Sequence, residues 1–123
     1  YLAANGIITV CVDGRGTGAR GEAFRKCTYL RMGELESKDQ VEAAQALGKL
    51  PFVDKSRMAI WGWSFGGYNT LMAMSVGNGT FKAGIAVAPP TDWKYYDSVY
   101  TERFMRTLLH RSVWRRICRG SCC

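Results

Sequence analysis

Short apolar runs alternate along this chain with longer amphipathic ones, and the two kinds differ in period. "IITVCVD", residues 7–13, is an unbroken β-rich run of the type buried on both faces in a parallel sheet. "RMAIWG" (57–62) and "FKAGIAVA" (81–88) have the same character. Between the first two lies "GELESKDQVEAAQALGKL", residues 33–50, in which Val41, Ala44 and Leu47 share one helical face. Acids stand early in that segment and Lys49 stands late, as the helix dipole favours, and Pro51 breaks the pattern. "YNTLMAMSV" (68–76) predicts a second, apolar helix that stops at Gly77-Asn78-Gly79, and "YLAANG" reads as a last helical turn ended by Asn5-Gly6. The order strand, loop, helix, strand, turn, helix, strand predicts an α/β fold, a mostly parallel sheet with helices on both faces. A chain opening on the end of a helix is expected to be part of something longer.

Charge changes this picture only at one end. The formal net charge is +7, but residues 1–106 hold 13 of the 17 basic residues and all 10 acids. In "TLLHRSVWRRICRGSCC" (107–123), Arg111, Arg115, Arg116 and Arg119 stand with no acid, beside Cys118, Cys122 and Cys123. Two readings of this tail stay open. Its abrupt composition fits translation in another reading frame, and Leu109, Val113 and Ile117 at i, i+4, i+8 fit a basic amphipathic helix that binds an anionic partner or membrane surface. Five cysteines without regular spacing make no disulfide framework, and His110 with the tail cysteines matches no standard zinc site. No metal, cofactor or nucleic-acid partner is expected. No apolar run approaches the roughly 18 residues of a membrane span.

The chemistry centres on "IWGWSFGGY", residues 60–68, where Gly62-Trp63-Ser64-Phe65-Gly66 spells G-x-S-x-G between a predicted strand and a predicted helix. That pattern holds a serine on a sharp turn at the helix N-terminus, with Gly62 and Gly66 letting strand and helix approach. Ser64 is therefore the candidate nucleophile, and the N–H of Phe65 a candidate oxyanion donor. Gly16-Thr17-Gly18-Ala19-Arg20-Gly21 also reads G-x-G-x-x-G after an apolar run. A dinucleotide site would need that loop to open directly into a helix, whereas "EAFRKCTYLRMG" reads as irregular. A tight loop held by Asp13 and Arg15 is the better reading. Asn78-Gly79-Thr80 is a glycosylation sequon that carries meaning only in a secreted eukaryotic chain. Trp93, Tyr96 and Tyr100 fall at i, i+3, i+7 in "DWKYYDSVYTERFM", so one helical face would present them either as core or as an apolar pocket beside Ser64.

Together, "VDGRGTGARGEAFRK", "DQVEAAQALGKLPFVDKSRMAIWGWSFGGY" and "FKAGIAVAPPTDWKYYDSVYTERFM" resemble the dipeptidyl peptidase IV group of the prolyl oligopeptidase family of serine peptidases, over residues 1–106. The resemblance implies part of an α/β-hydrolase catalytic domain, with residues 107–123 an unmatched tail. It implies that Ser64 is the nucleophile and that Phe65 donates one oxyanion hydrogen bond. Phe65, Trp93, Tyr96 and Tyr100 match the pocket for the penultimate substrate residue. The implied substrates are peptides with proline or alanine at that position, cleaved through an acyl-enzyme without a cofactor. Relatives are often homodimeric and periplasmic, membrane-anchored or secreted.

The departures matter as much. The family's acid and base follow the serine, yet Asp92 and Asp97 are not the family's acid positions and His110, the one histidine, lies in the unmatched tail. The chain is expected to lack the triad Asp and His and to be inactive alone, with apolar sheet faces left uncovered. An acylaminoacyl peptidase is the nearest enzymatic rival, which the Tyr96/Tyr100 segment argues against. A non-enzymatic chain acting through its basic tail is the rival of another class.

Overall fold

The computed structural model describes residues 1–106; the basic tail, with His110, Cys118, Cys122 and Cys123, lies outside the described residues. Strands β1 (Ala59–Trp63) and β2 (Ala83–Val87) pair in parallel, Ala59 opposite Ala83 through Trp63 opposite Val87. Helix α3 (Phe65–Val76) makes the crossover and packs on both strands, and α2 (Glu34–Leu47) packs on α3. The α/β class and the parallel pairing read from the sequence are those observed.

Alternation along the strands decides which face α3 covers. Ile60 and Gly62 on β1, with Gly84 on β2, lie under the helix; a Cβ at Gly84 would meet Met74 and Thr70 of α3. Trp61, Trp63 and Ile85 point the other way and are 61, 67 and 63% exposed. Among the described residues nothing covers that face. Helix α3 in turn separates two apolar clusters. On one side Val41, Ala44, Ala73 and Phe81 gather with Met58 and Ile60, and on the other Met32, Tyr68, Met72, Trp93 and Met105 gather with Phe65, Tyr100 and Phe104.

Three expectations need correction. Residues 7–13 form no strand: Ile7, Ile8 and Val10 are more than half exposed, and Val12 O accepts a hydrogen bond from Gln40 Nε2 at 3.1 Å instead of joining a ladder. A β-rich run is a strand only when a neighbour satisfies its backbone, and neither β1 nor β2 pairs with it. Second, the glycine loop does open into a helix, α1 (Glu22–Lys26), though only of five residues, so the irregular stretch begins later than expected. Third, Arg15 holds that loop without Asp13. Its backbone N and its guanidinium Nε donate to Asp39 of α2 at 2.7 and 3.0 Å. This pairing holds the Asp39 carboxyl below its ordinary range, chiefly through the hydrogen bond from Arg15 and against partial desolvation.

The N-terminal turn is as read, a 3-10 turn over Ala3–Asn5 closed by left-handed Gly6. The long helix also starts where its sequence says. Gly33, at φ 88°, precedes α2, and Glu36 Oε2 accepts the Gly33 N–H at 2.9 Å. This is half of a capping box, since glycine has no side chain to complete it.

Candidate active site

Everything at the site is hung on the turn between β1 and α3. Ser64 sits there at φ 55° and ψ −118°, a backbone region that side-chain-bearing residues avoid and that costs about 1–3 kcal/mol. Two hydrogen bonds hold it: Ser64 N donates to Val87 O of β2 at 2.8 Å, and Tyr68 N donates to Ser64 O at 3.0 Å. The close approach of strand and helix falls on different glycines than the pattern suggests. A Cβ at Gly62 would lie 2.2 Å from Gly66 O, and one at Gly67 would meet Val87 O at 3.0 Å, whereas one at Gly66 meets nothing within 4 Å. Gly62 and Gly67 are thus the crowded positions; Gly66 is not.

Ser64 therefore stands at the N-terminus of a 12-residue helix, whose first N–H groups have no intrahelical acceptor and carry the positive end of the dipole. The N–H of Phe65, first residue of α3, is one of these. Among the described residues no side chain hydrogen-bonds to Ser64, and there is no histidine, since His110 lies outside them. Asp92 and Asp97 are occupied locally. Asp92 Oδ1 accepts the Lys94 N–H, its Oδ2 pairs with Lys94 Nζ at 3.0 Å, and Asp97 Oδ1 accepts the Tyr100 N–H.

Those two caps also explain how the aromatic residues meet. The expectation of one continuous helical face is wrong. Trp93 lies in a 3-10 turn (Trp93–Tyr95) capped by Asp92, Tyr96 is extended, and Tyr100 lies in α4 (Ser98–Met105), capped by Asp97. The break nevertheless brings the rings together. Trp93 stacks on Tyr100 at 5.9 Å between centroids, meets Tyr96 edge-on at 5.8 Å, and lies 6.2 Å from Phe65. Tyr96 and Tyr100 are T-shaped at 5.4 Å. Trp93 lies at the buried centre of the cluster at 1% exposure, while Tyr96 at 40% lies at its surface. Such contacts contribute about 0.5–1.5 kcal/mol each beyond area burial.

Tyr68 and Phe104 join this group without having been singled out from sequence. Tyr68 lies edge-on to Trp93 at 5.0 Å, and Phe104 lies 5.0 Å from Tyr100. Their helical offsets from Phe65 and Tyr100 were the signal available. Burial, then the charges of Tyr96 and Glu36, push the Tyr100 hydroxyl above its ordinary pKa, so Tyr100 stays neutral across the neutral range. All four predicted pocket residues, Phe65, Trp93, Tyr96 and Tyr100, are in one cluster next to Ser64.

The strained Ser64 turn and the aromatic cluster that begins at Phe65 have counterparts in known proteins. Residues 1–112 match the prolyl oligopeptidase family. The chain belongs to that family. Among its relatives, a probable dipeptidyl-aminopeptidase B of Trichophyton verrucosum is 56% identical over 107 residues, covering 85% of this chain and 12% of the relative. Dipeptidyl peptidase 4 of Felis catus is 53% identical over 106 residues, covering 85% of this chain and 14% of that protein. The crystal structure of Porphyromonas gingivalis dipeptidyl peptidase 4 superposes with a TM-score of 0.83 at 63% identity, over 90% of this chain and 16% of that one. A putative dipeptidyl aminopeptidase IV from Bacteroides ovatus follows at 0.78 and 40%, over 86% of this chain and 15% of that one. The chain thus spans about an eighth of the length of the prolyl oligopeptidase-family proteins it matches. These likenesses bear out the α/β-hydrolase fold and the dipeptidyl peptidase relationship.

Proposed function

We propose that the protein carrying this chain is a serine exopeptidase that releases N-terminal dipeptides with proline or alanine in the penultimate position. Ser64 Oγ attacks the carbonyl carbon of that residue while a base takes its proton. The resulting oxyanion accepts a hydrogen bond from the Phe65 N–H. Collapse breaks the C–N bond, the shortened peptide leaves with the proton as its new amino terminus, and water then hydrolyses the dipeptidyl ester at Ser64.

One observation carries the reading. The residue that follows the nucleophile is itself a wall of the aromatic cluster, with Phe65 6.2 Å from Trp93 and Trp93 stacked on Tyr100. A substrate carbonyl at Ser64 therefore has its own side chain directed against flat apolar rings. A compact pyrrolidine ring or a methyl group suits such a box, and it brings no charge that would need a partner there. Among the described residues there is no histidine and Asp92 and Asp97 are held by Lys94 and Tyr100, so residues 1–106 by themselves are expected to retain only the residual catalysis of helix dipole and binding.

The test uses a fluorophosphonate probe and a Gly-Pro reporter substrate on the protein carrying this segment, with Ser64→Ala as control. Probe label at Ser64, lost in the variant together with reporter release, is the expected result. Label elsewhere, or release that survives Ser64→Ala, overturns the assignment. The isolated chain is expected to label slowly and not to turn over; rapid labelling with turnover would show that it carries its own base.

A further inference from the structure

The aromatic box is braced from behind by a turn that no part of the proposed chemistry uses. Residues 28–33 run beneath both helices that carry the box. On one side, Leu30 N donates to Phe104 O of α4 at 3.0 Å. On the other, Tyr68 Oη of α3 donates to Met32 O at 3.3 Å. Gly33 lacks the Cβ that would otherwise lie 2.5 Å from Tyr68 Cε1, so the tyrosine ring lies directly over the turn. That ring meets Trp93 edge-on at 5.0 Å.

What holds the turn is Glu36. Its side chain reaches back from the first turn of α2, and Oε2 accepts the Gly33 N–H at 2.9 Å in a site where the residue is only 8% exposed. A helix cap alone is ordinarily an exposed side chain with solvent as its alternative partner. Here the carboxyl is buried, and burial pushes its pKa up despite the hydrogen bonds that oppose the shift.

We propose that Glu36 is a positioning residue for the aromatic pocket, fixing the 28–33 turn so that Tyr68 and Phe104 hold Trp93 and Tyr100 in place. The proposal rests on the reading of that cluster as the pocket for the penultimate residue, but its geometry is measurable without substrate. Trp93 is buried and meets Tyr68, Tyr96 and Tyr100, whereas Trp61 and Trp63 are exposed, so among the described tryptophans Trp93 is the main source of near-ultraviolet circular dichroism.

Three variants separate the possibilities. Glu36→Ala removes the acceptor, Glu36→Gln keeps an oxygen for the Gly33 N–H, and Tyr68→Phe removes the hydroxyl link to Met32 while keeping the ring. Expected is a near-ultraviolet signal roughly halved in Glu36→Ala and reduced in Tyr68→Phe, with helical content unchanged, and restored in Glu36→Gln. An unchanged signal in folded Glu36→Ala, or an unchanged signal in Tyr68→Phe, overturns the proposal. If Glu36→Ala does not fold, Tyr68→Phe and Glu36→Gln decide by the same criteria: a reduced signal in the first with a retained one in the second supports it, and any other pair overturns it. Ligand-observed NMR with Gly-Pro-amide on the unsubstituted chain tests the pocket reading separately. Absence of binding there defeats the substrate assignment and leaves the positioning result standing on the spectra.

Discussion

Replacing Gly62 by alanine should damage this fold far more than replacing Gly66, although both glycines belong to the same five-residue pattern. At Gly62 the new Cβ would lie 2.2 Å from Gly66 O, 2.3 Å from Gly66 C and 2.8 Å from Gly66 Cα. Carbon contacts are comfortable at about 3.5 Å, so strand and helix must separate by about 1 Å. All three obstructing atoms are backbone, and no rotamer change can clear them. The turn is also tied at both ends, by Ser64 N to Val87 O and by Tyr68 N to Ser64 O, so opening it stretches at least one of those bonds. Overpacking of this kind costs about 1–3 kcal/mol or more, and a weakened buried hydrogen bond adds about 1 kcal/mol. The lower chain entropy of alanine in the unfolded state returns about 0.4–1 kcal/mol. The net expectation for Gly62→Ala is a loss of about 1–4 kcal/mol. At Gly66 the Cβ meets nothing among the described residues, and alanine is the better helix former by about 0.5–1 kcal/mol. Urea unfolding followed by far-ultraviolet circular dichroism measures both, and with a slope of about 2 kcal/mol per molar the first variant should lower the midpoint by about 0.5–2 M. Equal midpoints for the two variants would refute the reasoning.

Other consequences follow from burial and charge. Thr101 is 2% exposed and its Oγ1 has no hydrogen-bond partner among the described residues, so Thr101→Val should raise stability by about 1 kcal/mol in the same assay. Trp93→Ala removes the centre of the cluster and should cost about 3–5 kcal/mol, with loss of the near-ultraviolet aromatic signal. Asp39 has a folded pKa below its ordinary 3.8, so its pairing with Arg15 stabilises above that value and is lost as pH falls through the folded one. Arg15→Gln should flatten that part of the acid-unfolding curve, and an unchanged curve would show that the pair contributes nothing. Glu36 is the opposite case. Its folded pKa is raised above 4.5, so the folded state binds the proton more tightly and stability declines as pH climbs from 4.5 through the raised value. Glu36→Gln should remove that decline, as thermal unfolding across this window would show.

The elements legible in the sequence were those whose stabilising partners lie nearby in the chain. Helix α2 declared itself by period and early acids, and β1 and β2 by apolar runs flanking the helix that joins them. Residues 7–13 carry an equally strong strand signal and form none, because a strand also depends on a neighbour that local sequence does not specify. At the site, Ser64 was readable because its turn imposes glycine nearby, but which glycine was crowded depended on the angle at which α3 leaves β1. Trp93, Tyr96 and Tyr100 were found for a reason that proved incorrect. Their helical spacing suggested one face, whereas Asp92 and Asp97 cap two separate segments that fold toward each other. Tyr68 was overlooked because its partner in the turn lies 36 residues away in sequence, and Glu36 because only its spacing from Gly33 gave a hint.

The backbone at Ser64 sets folding and chemistry against each other at a single residue. With φ at 55° and ψ at −118°, the position would be more comfortable as glycine, so selection for a sturdier protein alone would remove the hydroxyl. A lineage released from hydrolysis would therefore be expected to lose this serine early, for the gain in robustness it brings. In that sense a serine here is informative beyond its hydroxyl: its backbone carries a cost that the packing of the fold does not explain.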